Sequence, residues 1–68
     1  MKYYITKDCE NGDKEVVQRI DGTLEEAREA FMQVLEEQSK AYHIDKTLKQ
    51  WRVIRLFDSN DTLLLQES

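Results

Sequence analysis

Cys9 and His43 are the chain's single thiol and single imidazole, so a conventional nucleophile-and-base mechanism would have to pass through that pair. Their setting argues against it. Asp8 and Glu10 flank Cys9 and oppose a negatively charged thiolate, while His43 falls near the end of a helix remote from the turn that carries the cysteine. Asp8, Glu10, Asn11 and Asp13 are calcium ligands by type. Gly12, however, comes one position too early for the twelve-residue calcium loop, and no terminal bidentate glutamate follows. Asp58, Asn60 and Asp61 are incomplete in the same way, and ordinary turn chemistry accounts for both stretches. Zinc would need more cysteine and histidine than one of each. Gly12 and Gly22 are the only glycines, too few for a phosphate-cradling loop, so nucleotide cofactors are not expected. The chemistry-bearing residues point to a protein that is not an enzyme and needs neither metal nor cofactor.

Two charged patterns could instead meet a macromolecule. The run Lys46-x-x-Lys49-x-Trp51-Arg52-x-x-Arg55 interleaves cations with an aromatic ring, the combination that grips single-stranded nucleic acid through phosphates and stacked bases. A net charge of −4 argues against nucleic acid as the partner. So does the expectation that Arg52 pairs with Glu67. Residues 23–45 carry two cations and six anions, so the acid is concentrated on the central segment, and only residues 46–68, with four cations and three anions, lean basic. The acidic face Glu25, Glu29, Glu36 and Glu37 could dock on a basic partner, or imitate the charge spacing of a nucleic-acid backbone as a small phage- or plasmid-type inhibitor does. A solvated helix face explains the same residues more simply.

These residues are positioned by a short list of elements. Sixty-eight residues make a single small domain, 1–68, with 40% hydrophobic and 35% charged residues, the balance of a soluble globular chain. No apolar run approaches the roughly 20 residues needed to cross a bilayer, and MKYYITKDCE lacks a signal-peptide core, so no membrane is expected and a cytoplasmic location is. One cysteine forms no internal disulfide, which fits a reducing compartment.

The clearest element is an amphipathic helix over Thr23–Tyr42. Thr23 stands three residues before Glu26, the spacing of a reciprocal cap, and Leu24, Ala27, Phe31, Val34, Leu35, Ala41 and Tyr42 form an apolar stripe. An end near Tyr42 or His43 is expected, with Asp45 capping a short turn through Lys49. Ahead of the helix, Lys2–Thr6 and Lys14–Ile20 flank Asn11-Gly12, the pair that two-residue primed turns require. That turn places Tyr3 opposite Ile20, Ile5 opposite Gln18, Lys7 opposite Val16 and Thr6 opposite Val17, with Tyr3, Ile5, Val16 and Ile20 facing the core. After the helix, Trp51–Phe57 and Thr62–Gln66 flank the turn Asp58–Asp61. The matching register pairs Ile54 with Leu65, Leu56 with Leu63 and Phe57 with Thr62. The expected fold is α+β, ββαββ, a single mainly antiparallel four-stranded sheet with one amphipathic helix packed on one face.

Such a sheet leaves its second face uncovered. Strict alternation puts Tyr4, Val17, Arg19, Trp51, Val53, Arg55, Phe57 and Leu64 on it, an aromatic, aliphatic and arginine mixture typical of protein interfaces. The expectation is a non-enzymatic interaction module that forms a homodimer, or binds another protein, through this face. Sheet edges offer a second route by strand addition.

Overall fold

The computed structural model describes residues 1–10, 12–44 and 51–68, and side chains outside 41–50. Five elements follow the expected order: β1 (Lys2–Cys9), β2 (Lys14–Asp21), α1 (Leu24–Ile44), β3 (Trp51–Asp58) and β4 (Leu63–Glu67). They build one antiparallel sheet of strand order β2-β1-β3-β4, with α1 lying against β1, β2 and β3. The two hairpins therefore meet through their first strands, β1 and β3, and the helix spans the gap that this pairing leaves in the chain.

Residue chemistry accounts for α1. The Glu26 N–H donates to Thr23 Oγ1 at 3.2 Å while the Thr23 N–H donates to Glu26 Oε1 at 3.3 Å, so each residue satisfies a backbone donor the helix start would otherwise leave open. Gly22 lies close to this cap: a Cβ there would stand 2.9 Å from Glu26 Oε2, and the carboxylate would have to shift. Ala27, Ala30, Phe31 and Val34 are buried at helical spacing, and the two alanines let the helix come close to the sheet. Leu24, expected on that stripe, is instead 46% exposed. The helix runs to Ile44, slightly past the expected end. Ala41 and Tyr42 of the expected stripe, and the Asp45 cap with its turn through Lys49, lie outside the described side chains or residues.

The core is closed by Tyr3, Ile5, Trp51, Ile54 and Leu56 from the sheet, with Ile5, Ile54 and Leu56 fully buried. Both turns are one residue away from their expected forms. In the first, the Cys9 N–H reaches the Asp13 carbonyl at 2.7 Å and the Gly12 N–H reaches the Cys9 carbonyl at 3.0 Å, so Cys9 and Asp13 close the turn, with Gly12 at φ 93°. In the second, Asp58 and Thr62 close the loop instead of Phe57 and Thr62. The Asp58 carboxylate accepts the N–H groups of Asn60 and Thr62, and Asp61 takes φ 62°.

Each displaced register is then corrected by a bulge, and the bulges move side chains between faces. Tyr3↔Ile20, Tyr4↔Arg19 and Ile5↔Gln18 hold as expected, but beyond an irregularity after Ile5 the pairs become Thr6↔Val16, Lys7↔Glu15 and Asp8↔Lys14. Val17 is the extra residue, and it packs on the core while Val16 turns to the open face and is 47% exposed. In β4 the register is Leu56↔Leu65 and Phe57↔Leu63 in place of Leu56 with Leu63. Leu64 and Leu65 both pack on the core and Leu63 faces outward. Between β1 and β3 the step from Asp8↔Val53 to Cys9↔Trp51 leaves Arg52 as the bulged residue and swings Trp51 to the helix side. The expected Arg52–Glu67 pair is replaced by Ile54↔Glu67.

Two stability measurements check this picture. Thr23→Ala removes one half of the reciprocal cap and should lower unfolding free energy by about 1 kcal/mol in urea titrations. Val17→Lys should destabilise by about 1–3 kcal/mol while Val16→Lys stays within about 0.5 kcal/mol, and equal losses would place the bulge elsewhere.

Candidate functional site

The face of the sheet away from α1 is built by alternate residues of the two central strands and reset at the edges by the bulges. Across its middle run Arg19 from β2, Tyr4 from β1, Phe57 from β3 and Leu63 from β4, successive partners in the ladder. Tyr4 and Phe57 stack with ring centroids 5.1 Å apart and planes at 17°, an offset pairing that fixes two large rings side by side. The Tyr4 hydroxyl donates to Asp61 Oδ1, reaching over β3 to the turn of the second hairpin. Val16 and Leu63 extend the apolar surface on either side, 47% and 46% exposed.

One step along the strands the face turns polar. Arg55 Nη1 donates to Asp8 Oδ2 at 3.0 Å and Arg55 Nε donates to Gln66 Oε1 at 3.0 Å, a bridge across β1, β3 and β4. The planar guanidinium suits this because its donors are fixed in a fork. Asp8 Oδ1 is shielded from solvent and has no hydrogen-bond partner among the described residues. Beside it, Val53 is buried although it lies on the open face, opposite Asp8.

Of the residues expected on this face, Tyr4, Arg19, Val53, Arg55 and Phe57 are there. Trp51, Val17 and Leu64 are not. Trp51 is 5% exposed beneath α1 and donates its indole N–H to the Gln38 carbonyl at 3.3 Å, so it is a core residue rather than a platform for a base or a partner. Alternation alone misplaced all three, since a bulge reverses it. Val16 and Leu63, which replace them, sit in the runs Val16-Val17 and Leu63-Leu64-Leu65, and adjacent apolar residues in a one-sided strand are the trace a bulge leaves in sequence.

The other candidates disperse. Cys9 is half-buried at the hairpin tip, and the His43 side chain lies outside the described residues, as do Lys46 and Lys49 of the cationic run. Among the described residues no cluster of His, Cys, Asp and Glu is placed to hold a metal ion. Asp8, Asp58 and Asp61 are engaged by Arg55, by turn amides and by Tyr4. Glu25, Glu29, Glu36 and Glu37 are solvent-exposed on α1 as expected, but Glu25 and Glu29 share a shallow concavity with Arg28, Met32 and Gln33. No described helix is long and apolar enough to cross a membrane.

Comparison with protein-family models, with curated proteins and with solved structures finds no match.

Tyr4 is the titratable group on this face whose behaviour the geometry alters. Its hydrogen bond to Asp61, then partial desolvation, then the negative charges of Asp61 and Asp58 raise its pKa above the ordinary tyrosine value, with Arg19 opposing. The folded state thus holds the phenol proton more tightly than the unfolded chain. The contribution to stability is complete below about pH 10 and is lost as pH climbs through the raised folded value. Tyr4→Phe should therefore flatten the alkaline decline in melting temperature, and an unchanged decline would exclude Tyr4 as its source.

Proposed function

We propose that this protein is a non-enzymatic interaction module that self-associates through the open face of its sheet. The observation that carries the reading is the row Arg19, Tyr4, Phe57, Leu63, a stacked aromatic pair between an arginine and an exposed leucine, uncovered among the described residues. Large rigid rings and arginine are the groups that hold interfaces together, and such a row on a small domain is surface that association removes from water. A second copy is the occupant because the row is self-complementary. A twofold axis parallel to the strands lays the β2 side of one copy over the β4 side of the other, and this brings Arg19 towards Leu63 and Asp61 of the second copy. Closed twofold pairing of this kind also buries the same surface on both partners at once.

The acidic helix face supports a weaker alternative, a regulator that docks on a basic partner. Exposed Met32 would add an apolar contact there, but Arg28 interrupts the negative field that a phosphate mimic needs.

Sedimentation equilibrium over a concentration series tests the reading. The native chain should self-associate in a way that survives moderate salt, and Phe57→Glu should weaken the open-face step of that association at least tenfold while leaving far-UV circular dichroism unchanged. A monomeric native chain, or a variant that associates as well as the native one, would overturn the open face as the contact.

A further inference from the structure

The second surface of interest is the free edge of β2. This strand is eight residues long, is exposed along most of its length and borders the sheet, so among the described residues its outer row of backbone N–H and C=O groups is open to strand addition. Its residues divide between the faces in an unusual order. Lys14, Val16, Arg19 and Asp21 pair with Asp8, Thr6, Tyr4 and Lys2, and so lie on the open face; Glu15, Gln18 and Ile20 pair with Lys7, Ile5 and Tyr3 on the helix face, where bulged Val17 joins them. The bulge thus puts the two halves of the strand out of phase.

That phase break selects a partner and a register. Antiparallel edge pairing about a twofold axis perpendicular to the sheet keeps open face on open face, so opposing residues must belong to the same face. In an unbroken strand many registers would satisfy this; here a shift by one residue in either direction sets open-face residues against helix-face residues, and a shift by two fails at the bulge. We propose that β2 pairs with β2 of a second copy in the one fully matched register: Lys14 opposite Asp21, Glu15 opposite Ile20, Val16 opposite Arg19 and Val17 opposite Gln18. Every pair then shares a face, and the charges at the strand ends become two symmetry-related Lys14–Asp21 pairs with no like charges opposed. Charges that blunt an isolated edge are in this register complementary.

The other edge competes less well. β4 is five residues long, and its face-matched pairing with β2 of another copy sets Glu15 opposite Glu67, a like-charge pair. That contact is also head-to-tail and would add copies without closing. The β2 dimer instead yields one eight-stranded sheet with both helices on one side. Its two open faces merge into a single surface of twice the area; the edge contact is made by β2 backbone groups and the face contact by side chains centred on Tyr4 and Phe57, so the two can coexist.

A charge exchange separates them. Lys14→Asp sets a carboxylate opposite Asp21 at each end of the junction, and Asp21→Lys sets an ammonium opposite Lys14; the double variant restores opposite charge. Sedimentation equilibrium in a Phe57→Glu background, which removes the open-face contact alone, should show a dimer that each single exchange weakens about tenfold or more and that the double exchange recovers. Hydrogen exchange should show outer β2 amides gaining protection with concentration. Equal association by all four chains, a monomer in the Phe57→Glu background, or open-ended polymers would each overturn the β2 register. Phe57→Glu that reduces the native assembly to a dimer removes the face contact and leaves the edge contact standing, whereas reduction to a monomer removes the edge contact too, so failure of one contact is visible apart from failure of the other.

Discussion

The structure depends on the pairing of β1 with β3. Ile5 and Leu56 face each other across it, Ile54 lies one step along, and all three are removed from water entirely beneath α1. Burying side chains of this size contributes about 1.5–3 kcal/mol each, a large share of what so small a chain can gather. Each hairpin alone would be marginal in water, since two strands without a covered face bury too little. The contact is also the most non-local one, joining the start of the chain to its last third. The ordering cost of that closure grows only slowly with the length between the strands, and a capped helix fills most of the gap.

Everything the helix needs is local, which is why it was legible. The Thr23–Glu26 cap and the Ala27, Phe31, Val34 spacing depend on neighbours within two turns, and the structure reproduces them. Strand existence and order in the chain were legible for a similar reason, since the apolar runs and turn residues mark them. Register was not. Asp58 accepts two turn amides and thereby shortens its loop, and Gly12 at positive φ lengthens the other, so each hairpin leaves its turn one residue off the simplest pairing. The bulges at Val17, Arg52 and Leu64 then absorb the offset so that Tyr3, Ile5, Ile54 and Leu56 can all face α1. Core burial decides the outcome, and a bulge costs less than turning an isoleucine outward.

The candidate surface inherited that difficulty. Residues on segments whose phase no bulge alters, Tyr4, Arg19, Arg55 and Phe57, landed on the expected face, whereas Val17, Trp51 and Leu64 stand at or beside a bulge on their own strand and were carried to the other. The Asp8–Arg55–Gln66 bridge had no sequence signature at all, because it joins three strands whose alignment only the folded sheet defines. It gives the open face a polar half and an apolar half, so the face has a direction along the strands as well as across them.

Trp51 is the only tryptophan in the chain, and it lies on the opposite side of the sheet from the face where contact with another molecule is argued. Its indole, buried against α1 and hydrogen-bonded to the Gln38 carbonyl, is an optical reporter of helix docking. Events on the open face leave that environment intact, so intrinsic emission will follow unfolding faithfully and stay silent on association. The phenol of Tyr4, whose hydroxyl donates to Asp61 at the centre of the open face, is the chromophore that sees what the tryptophan does not.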